Sequence, residues 1–137
     1  MHRSLDKKKE NTSRLEHGSA VFEQVTGAKA EDFINKFADI APEFGRFILE
    51  WEFSDIYSRG GLDWKTREAV VIASCTTLGA TGFPTLKKHV KSGIKAGLTR
   101  ENIAEIIMQL SFTAGLTTTI AAMDVVKEAF SELDQEA

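Results

Sequence analysis

The stretch DWKTREAVVIASCTTLGATGFPTLKKHVKSGIKAG, residues Asp63 to Gly97, decides the fold class. From Trp64 to about Leu78, apolar side chains run almost all the way round a helix: Ala69, Val70, Val71, Ile72, Ala73, Cys75 and Leu78. Such a helix belongs at the centre of a bundle. Asp63 stands where an N-cap carboxylate accepts from the first unpaired backbone N–H groups. Gly79 and Gly82 make a turn, and Phe83 or Pro84 opens a second helix that ends at Gly97, a residue suited to a left-handed C-cap.

The same period continues in both directions. Downstream, Thr99 caps a segment with Ile103, Ile106, Ile107 and Leu110 at helical spacing, and after Gly115 a last helix carries Ile120, Met123, Val126, Phe130 and Leu133. Upstream, Val21, Phe22 and Val25 form a short apolar face ending at Gly27, and AEDFINKFADI places Phe33, Ile34 and Phe37 together. In PEFGRFILEWEFSDIYS, Pro42 opens a helix whose one apolar side is expected to be lined by Phe44, Phe47, Ile48, Trp51 and, one residue off register, Phe53 and Ile56. No segment alternates with period two long enough to be a strand. The expected fold is an all-α compact bundle of about six or seven helices. Residues 1–14 read as a polar, flexible arm and residues 15–137 as one helical domain.

Composition removes several function classes. The formal net charge of −3 over 137 residues argues against a polyanion binder, so no nucleic-acid partner is expected. The longest apolar run, Ala69 to Ala73, is too short to cross a bilayer, and the charged start MHRSLDKKKENTSR has no secretory apolar core. A soluble cytoplasmic protein without a membrane partner is the plain expectation. The single cysteine, Cys75, permits no intrachain disulfide and reads as core packing. Three histidines with no acidic triad give no metal signature, and no glycine loop has phosphate-cradle spacing.

Two residues stand out. Glu68 shares a helix face with Ile72 and Cys75, and a carboxylate on an apolar face needs a partner, water or a proton. Its bland reading is a first-turn glutamate favoured by the helix dipole and reaching solvent. His89 is the only histidine beyond residue 17 and lies at the edge of the stripe Phe83, Leu86, Val90 and Ile94. Gly93, one turn on, leaves space beside the ring for a ligand or for a neighbouring helix. If Glu68 and His89 meet, they form an acid–base pair in which each governs the other's proton.

The order of motifs extends this reading. PEFGRFILEWEFSDIYSRGGLDWKTREAVVIAS, then LKKHVKSGIKAGLTRENIAEIIMQLSFTAGL, then AAMDVVKEAF resembles the carboxymuconolactone decarboxylase family from about Pro42 to Phe130. The family's RPGL corresponds to RGGL at Arg59–Leu62, and its LHVRAALNNGVTPEEI to KHVKSGIKAGLTRENI. The resemblance implies the alkylhydroperoxidase-like fold. Alkylhydroperoxidases of that fold use Cys-x-x-Cys-x-x-x-His with an upstream glutamate. Here the two cysteine positions are Gly82 and Thr85, so disulfide-cycling peroxidase chemistry is not expected. Glu68 lies within about two residues of the expected acid, which raises Glu68 and His89 together as the candidate catalytic pair.

In the family reaction 4-carboxymuconolactone loses CO2 to give an enol-lactone, and the unsaturated lactone accepts the released electron pair. The resemblance therefore implies a small carboxylate substrate and no cofactor: no thiamine, pyridoxal or metal. His89 would be the proton donor, Glu68 the group that orients it, and Arg59 and Arg67 the anion holders. Trp51, near a position where family decarboxylases often carry a polar residue or histidine, is the third candidate substrate contact. Lys87, Lys88 and Lys91 would be solvated. The resemblance also implies a homo-trimer or homo-hexamer, compatible with the apolar area of Trp51, Phe53, Phe83 and Phe112. Two other readings stay open: a related enzyme acting on another lactone, keto acid or peroxide, and a non-catalytic binding protein of the same fold.

Overall fold

The computed structural model describes residues 2–137, with side chains from residue 13 onward. Residues 1–12 of the arm expected over 1–14 lie outside the described side chains. Among the described residues there are seven α-helices, one π-helix, one 3-10 turn and no strand, so the protein is all-α. The chain divides into two compact units, Met1–Gly61 and Leu62–Ala137.

The first unit contains α1 (His2–Thr26), α2 (Ala30–Lys36) and α3 (Phe44–Ile48), which runs straight into a π-helix, Leu49–Tyr57. Gly27, at φ +76°, ends α1, and the Glu23 carboxylate accepts from the Ala30 N–H at 2.9 Å to start α2. The core here is Val21, Phe22, Val25, Leu49, Phe53 and Tyr57, with the Phe22 and Phe53 rings edge-to-face at 5.1 Å. On the π-helix, wound with i→i+5 bonds, Leu49, Phe53 and Tyr57, spaced by four, share one buried face. Phe53 is buried as expected, but the rest of the expected apolar side is corrected: Phe44, Phe47 and Trp51 are exposed, and Leu49 is buried with Phe53 instead.

Beside that face, Arg14 from α1 grips Asp55 with two bonds of 3.1 and 2.6 Å. Arg14 also lies 3.4 Å from Glu50, a mostly buried carboxylate that Arg46 approaches at 3.1 Å. The bond to Asp55 raises the Arg14 pKa still further above its ordinary value. Gly18 lets α1 sit directly against the Leu49 carbonyl, where an added Cβ would overlap backbone rather than a yielding side chain. Gly18→Ala is expected to cost about 1–3 kcal/mol by forcing the two helices apart. Gly60→Ala, where a Cβ meets nothing within 4 Å, is the control. Urea denaturation of both variants checks the difference.

The second unit contains α4 (Trp64–Thr77), the 3-10 turn Gly79–Thr81, α5 (Phe83–Ala96), α6 (Arg100–Gln109) and α7 (Leu116–Glu136). Three expected punctuation marks are in place. Asp63 accepts from the Thr66 N–H at 2.8 Å, Gly97 takes φ +110° at the end of α5, and Thr99 and Asn102 form a reciprocal capping box at 3.0 Å each way. The core is Ile72, Cys75, Leu86, Val90, Leu98, Ile103, Ile107, Ala122, Val126 and Ala129. Cys75 is therefore a packing residue. α4 is not buried all round, however. Val70 and Leu78 are exposed, as is Ile120 on α7, whose core face runs through Thr119, Ala122, Val126 and Ala129 instead.

Two of the lysines expected to be solvated are instead paired. Lys87 on α5 meets Glu128 and Glu132 on α7 at 2.8 Å each, and Lys91 meets Glu132 at 3.0 Å. Hydrogen bonds from these two ammonium groups, Lys87 first, hold the Glu132 carboxyl below the ordinary carboxylate range. Hydrogen bonds to the glutamates raise Lys87 and Lys91 above the ordinary ammonium range. A lowered Glu132 contributes stability above its unfolded pKa and loses it as pH falls through the folded one. The raised lysines lose theirs only as pH rises through their folded values, so the clasp acts across neutral pH and fails at both extremes. Glu132→Gln is expected to narrow the loss of thermal stability between neutral pH and acid, as melting curves at the two pH values would show.

Candidate active site

α4 brings Glu68, Ile72, Cys75 and Thr76 to the interior of the second unit, and α5 brings Leu86, Val90, Ser92 and Gly93. Glu68 is a residue beyond the first turn of α4 and has no solvent exposure. The bland reading of a solvent-reaching first-turn glutamate is thereby overturned. A helix face committed to the core carries the carboxylate in with it, and the opposite helix supplies donors there.

His89 Nδ1 lies 2.7 Å from Glu68 Oε2, and the His89 side chain retains 11 % exposure. The Ser92 hydroxyl donates to the same Oε2 at 2.8 Å and sits 3.5 Å from Nδ1. Residues 89 and 92 are three apart on α5, so both side chains lean over one patch of α4. When the carboxylate is ionised it can only accept, and Nδ1 is then the donor in this contact. Nε2, on the far edge of the ring, has no hydrogen bond among the described residues and can carry a proton or a lone pair. The group is thus a buried carboxylate behind an imidazole whose outer nitrogen remains available, an arrangement suited to general acid–base work.

The space beside Gly93 is taken up by protein. A Cβ there would lie 3.0 Å from Leu98 and 3.2 Å from Ile72, so the glycine serves the close approach of α5 to α4 and leaves no hole for a ligand. Of the remaining candidates, Arg67 precedes Glu68 on α4, is half-buried, and donates through Nε to the Leu62 carbonyl at 3.1 Å. Trp51 on the π-helix and Arg59 after it are exposed residues of the first unit. Ser92 was not legible as part of the pair. The only signal for it is a polar side chain three residues after His89.

A groove of about 660 Å³ also opens in this unit, lined by Phe83, Pro84, Lys88 and Val125 among the clasp residues of α5 and α7. Neither Glu68 nor His89 lines it. Among the described residues no three His, Cys, Asp or Glu side chains converge as metal ligands. None of the described helices is long and apolar enough to cross a membrane.

The profile of the carboxymuconolactone decarboxylase family matches residues 42–128. The chain belongs to that family. The matched span agrees closely with the resemblance read from Pro42 to Phe130. Within the family, the chain is 31 % identical to the 4-carboxymuconolactone decarboxylase of Acinetobacter baylyi over 121 residues, covering 88 % of this chain and 89 % of that one. It is 34 % identical over 97 residues to an "uncharacterized 15.0 kDa protein in nqo9-nqo10 intergenic region" of Paracoccus denitrificans, covering 71 % and 72 % respectively. A more distant likeness, 26 % over 86 residues, is to the nitrosuccinic acid decarboxylase of Metarhizium robertsii, covering 63 % and 59 %.

Removing the buried carboxylate tests how far the core depends on it. Glu68→Ala is expected to destabilise the protein by about 2–5 kcal/mol, since it leaves a cavity and two donors without their acceptor. Glu68→Gln, which keeps the volume and one carbonyl acceptor, should lose less. Urea midpoints for the two variants give the comparison.

Proposed function

We propose that this protein is a decarboxylase of a small lactone carboxylate, with His89 as the proton donor and Glu68 as the residue that orients it. The observation that carries the proposal is the 2.7 Å contact between a wholly buried Glu68 and His89. Membership of the family and the likeness to a 4-carboxymuconolactone decarboxylase support the choice of substrate.

The chemistry asks little of the protein beyond placement. In 4-carboxymuconolactone the bond from the ring carbon to the carboxylate breaks, CO2 leaves, and the bonding electron pair enters the unsaturated lactone. The resulting dienolate takes a proton at carbon from His89 Nε2. The imidazole that remains keeps its Nδ1–H on Glu68, and solvent restores the Nε2 proton. Because the substrate itself holds the electron pair, the enzyme need only hold the carboxylate, favour the developing charge on the lactone oxygen and supply that proton. We assign the anion-holding role first to Arg67, one residue before Glu68, whose guanidinium suits a carboxylate. Arg59 and Trp51 are proposed as further substrate contacts on the sequence alone.

The likeness to a nitrosuccinic acid decarboxylase favours a second reading, in which the same pair protonates a different small carboxylate after loss of CO2. The test is an ultraviolet assay of 4-carboxymuconolactone loss, run beside CO2 release from nitrosuccinate. Wild type is expected to turn over the lactone, and His89→Ala to lower kcat by about 10²–10⁴-fold with helicity unchanged. Cys75→Ala should keep its activity, since the thiol is core packing. Turnover of nitrosuccinate alone would select the second reading, and turnover of neither would sink both.

A further inference from the structure

We propose that Ser92 is a positioning residue: its hydroxyl holds the Glu68 carboxylate so that His89 keeps its proton on Nδ1 and presents Nε2 outward. The role of Nε2 in turnover rests on the decarboxylase reading; the placement of the proton does not.

Ser92 is 3 % exposed, and its Oγ has two acceptors within reach. One is the backbone carbonyl of His89 at 3.4 Å, the usual back-bonding partner of a helical serine. The other is Glu68 Oε2 at 2.8 Å, the shorter contact and the one to a carboxylate. The hydroxyl therefore spends its proton across the helix interface. Its target is the same oxygen that receives His89 Nδ1, so two donors from α5 converge on one atom of α4.

That convergence has a chemical consequence. In free histidine the neutral ring prefers its proton on Nε2. A carboxylate fixed against Nδ1 reverses the preference, provided that it stays ionised and does not rotate away. The Ser92 hydroxyl, at 2.8 Å from Oε2, is one of the donors that fix the carboxylate in that orientation. Without that hydroxyl the carboxylate is freer to turn, and Nδ1 loses its acceptor. The serine is no nucleophile, because it lies on the Nδ1 side of the ring, where Glu68 already occupies the imidazole.

The experiment is 15N NMR of the histidine rings in substrate-free protein, at a pH high enough for the rings to be neutral. His89→Gln identifies the His89 signals. Wild type is expected to show mainly the Nδ1–H tautomer, and Ser92→Ala to move towards Nε2–H. Ser92→Thr, which keeps a hydroxyl, should restore the wild-type pattern. Ser92→Cys, close in volume but a weak donor, should follow alanine, and it serves as the readout if the alanine variant does not fold. With an active wild type, kcat should fall about tenfold in Ser92→Ala with KM within about twofold. A wild-type protein with His89 in the Nε2–H form would overturn the proposal, as would Ser92→Ala or Ser92→Cys with the wild-type tautomer. A wild type that turns over neither carboxylate would remove the decarboxylase reading, and the tautomer comparison would still decide the role of Ser92.

Discussion

A carboxylate cut off from water is among the costlier things a small core can contain, unless donors meet it there. Glu68 is such a group, and the arrangement of the second unit follows from where its donors come from. His89 and Ser92 both belong to α5 and are three residues apart, so they reach one oxygen only if α5 lies on α4 in a single register. Sliding α5 by a turn would leave the charge without either of them. Gly93 permits the required approach, with Ile72 and Leu98 packed where a side chain would have stood. Packing and candidate chemistry are therefore one constraint: the core is built around the group that the site would use.

The outer side of α5 is held by a different kind of interaction. Lys87 and Lys91 bind the glutamates of α7 across a partly solvated surface, where ion pairs are individually weak and sensitive to salt. Their contribution lies in number and in shared partners, since Glu132 serves both lysines. Helix α5 thus has one face set by a buried carboxylate and another set by a charged clasp. The first unit divides its work in a similar way, between an aromatic cluster and a mostly buried Glu50 beside Arg14 and Arg46. There the unusual element is the π-helix, which carries Leu49, Phe53 and Tyr57, spaced by four, on a single buried face.

Decarboxylation suits a site of this sort when the substrate carries its own electron sink. What remains for the protein is a proton, a charge to orient the donor and a place for the anion. An imidazole backed by a buried carboxylate meets the first two needs. Among the described contacts its outer nitrogen has no hydrogen bond, so under the proposed function it is the ring position that would face a substrate. Membership of the carboxymuconolactone decarboxylase family is consistent with that chemistry.

Much of this was legible in the sequence, because it depends on local rules. The helix signals at Asp63, Gly97 and Thr99 act over four residues or fewer, and each holds in the structure. The order of the motifs around RGGL and KHVKSG was enough to indicate the family. Glu68 was conspicuous because its helix spacing put a charge among apolar neighbours. Other features depended on distance in space. Ser92 is an ordinary helical serine until α4 is laid beside it. Gly93 could have bordered a ligand, and only the packing of Ile72 and Leu98 assigned it to helix contact. Phe44, Phe47 and Trp51 fit a helical stripe with Phe53, but the structure buries Leu49 and Tyr57 beside Phe53 and leaves the other three exposed. Periodicity reports which faces a helix could bury. Which face it does bury, and which oxygen a hydroxyl meets there, is settled by the helix packed against it.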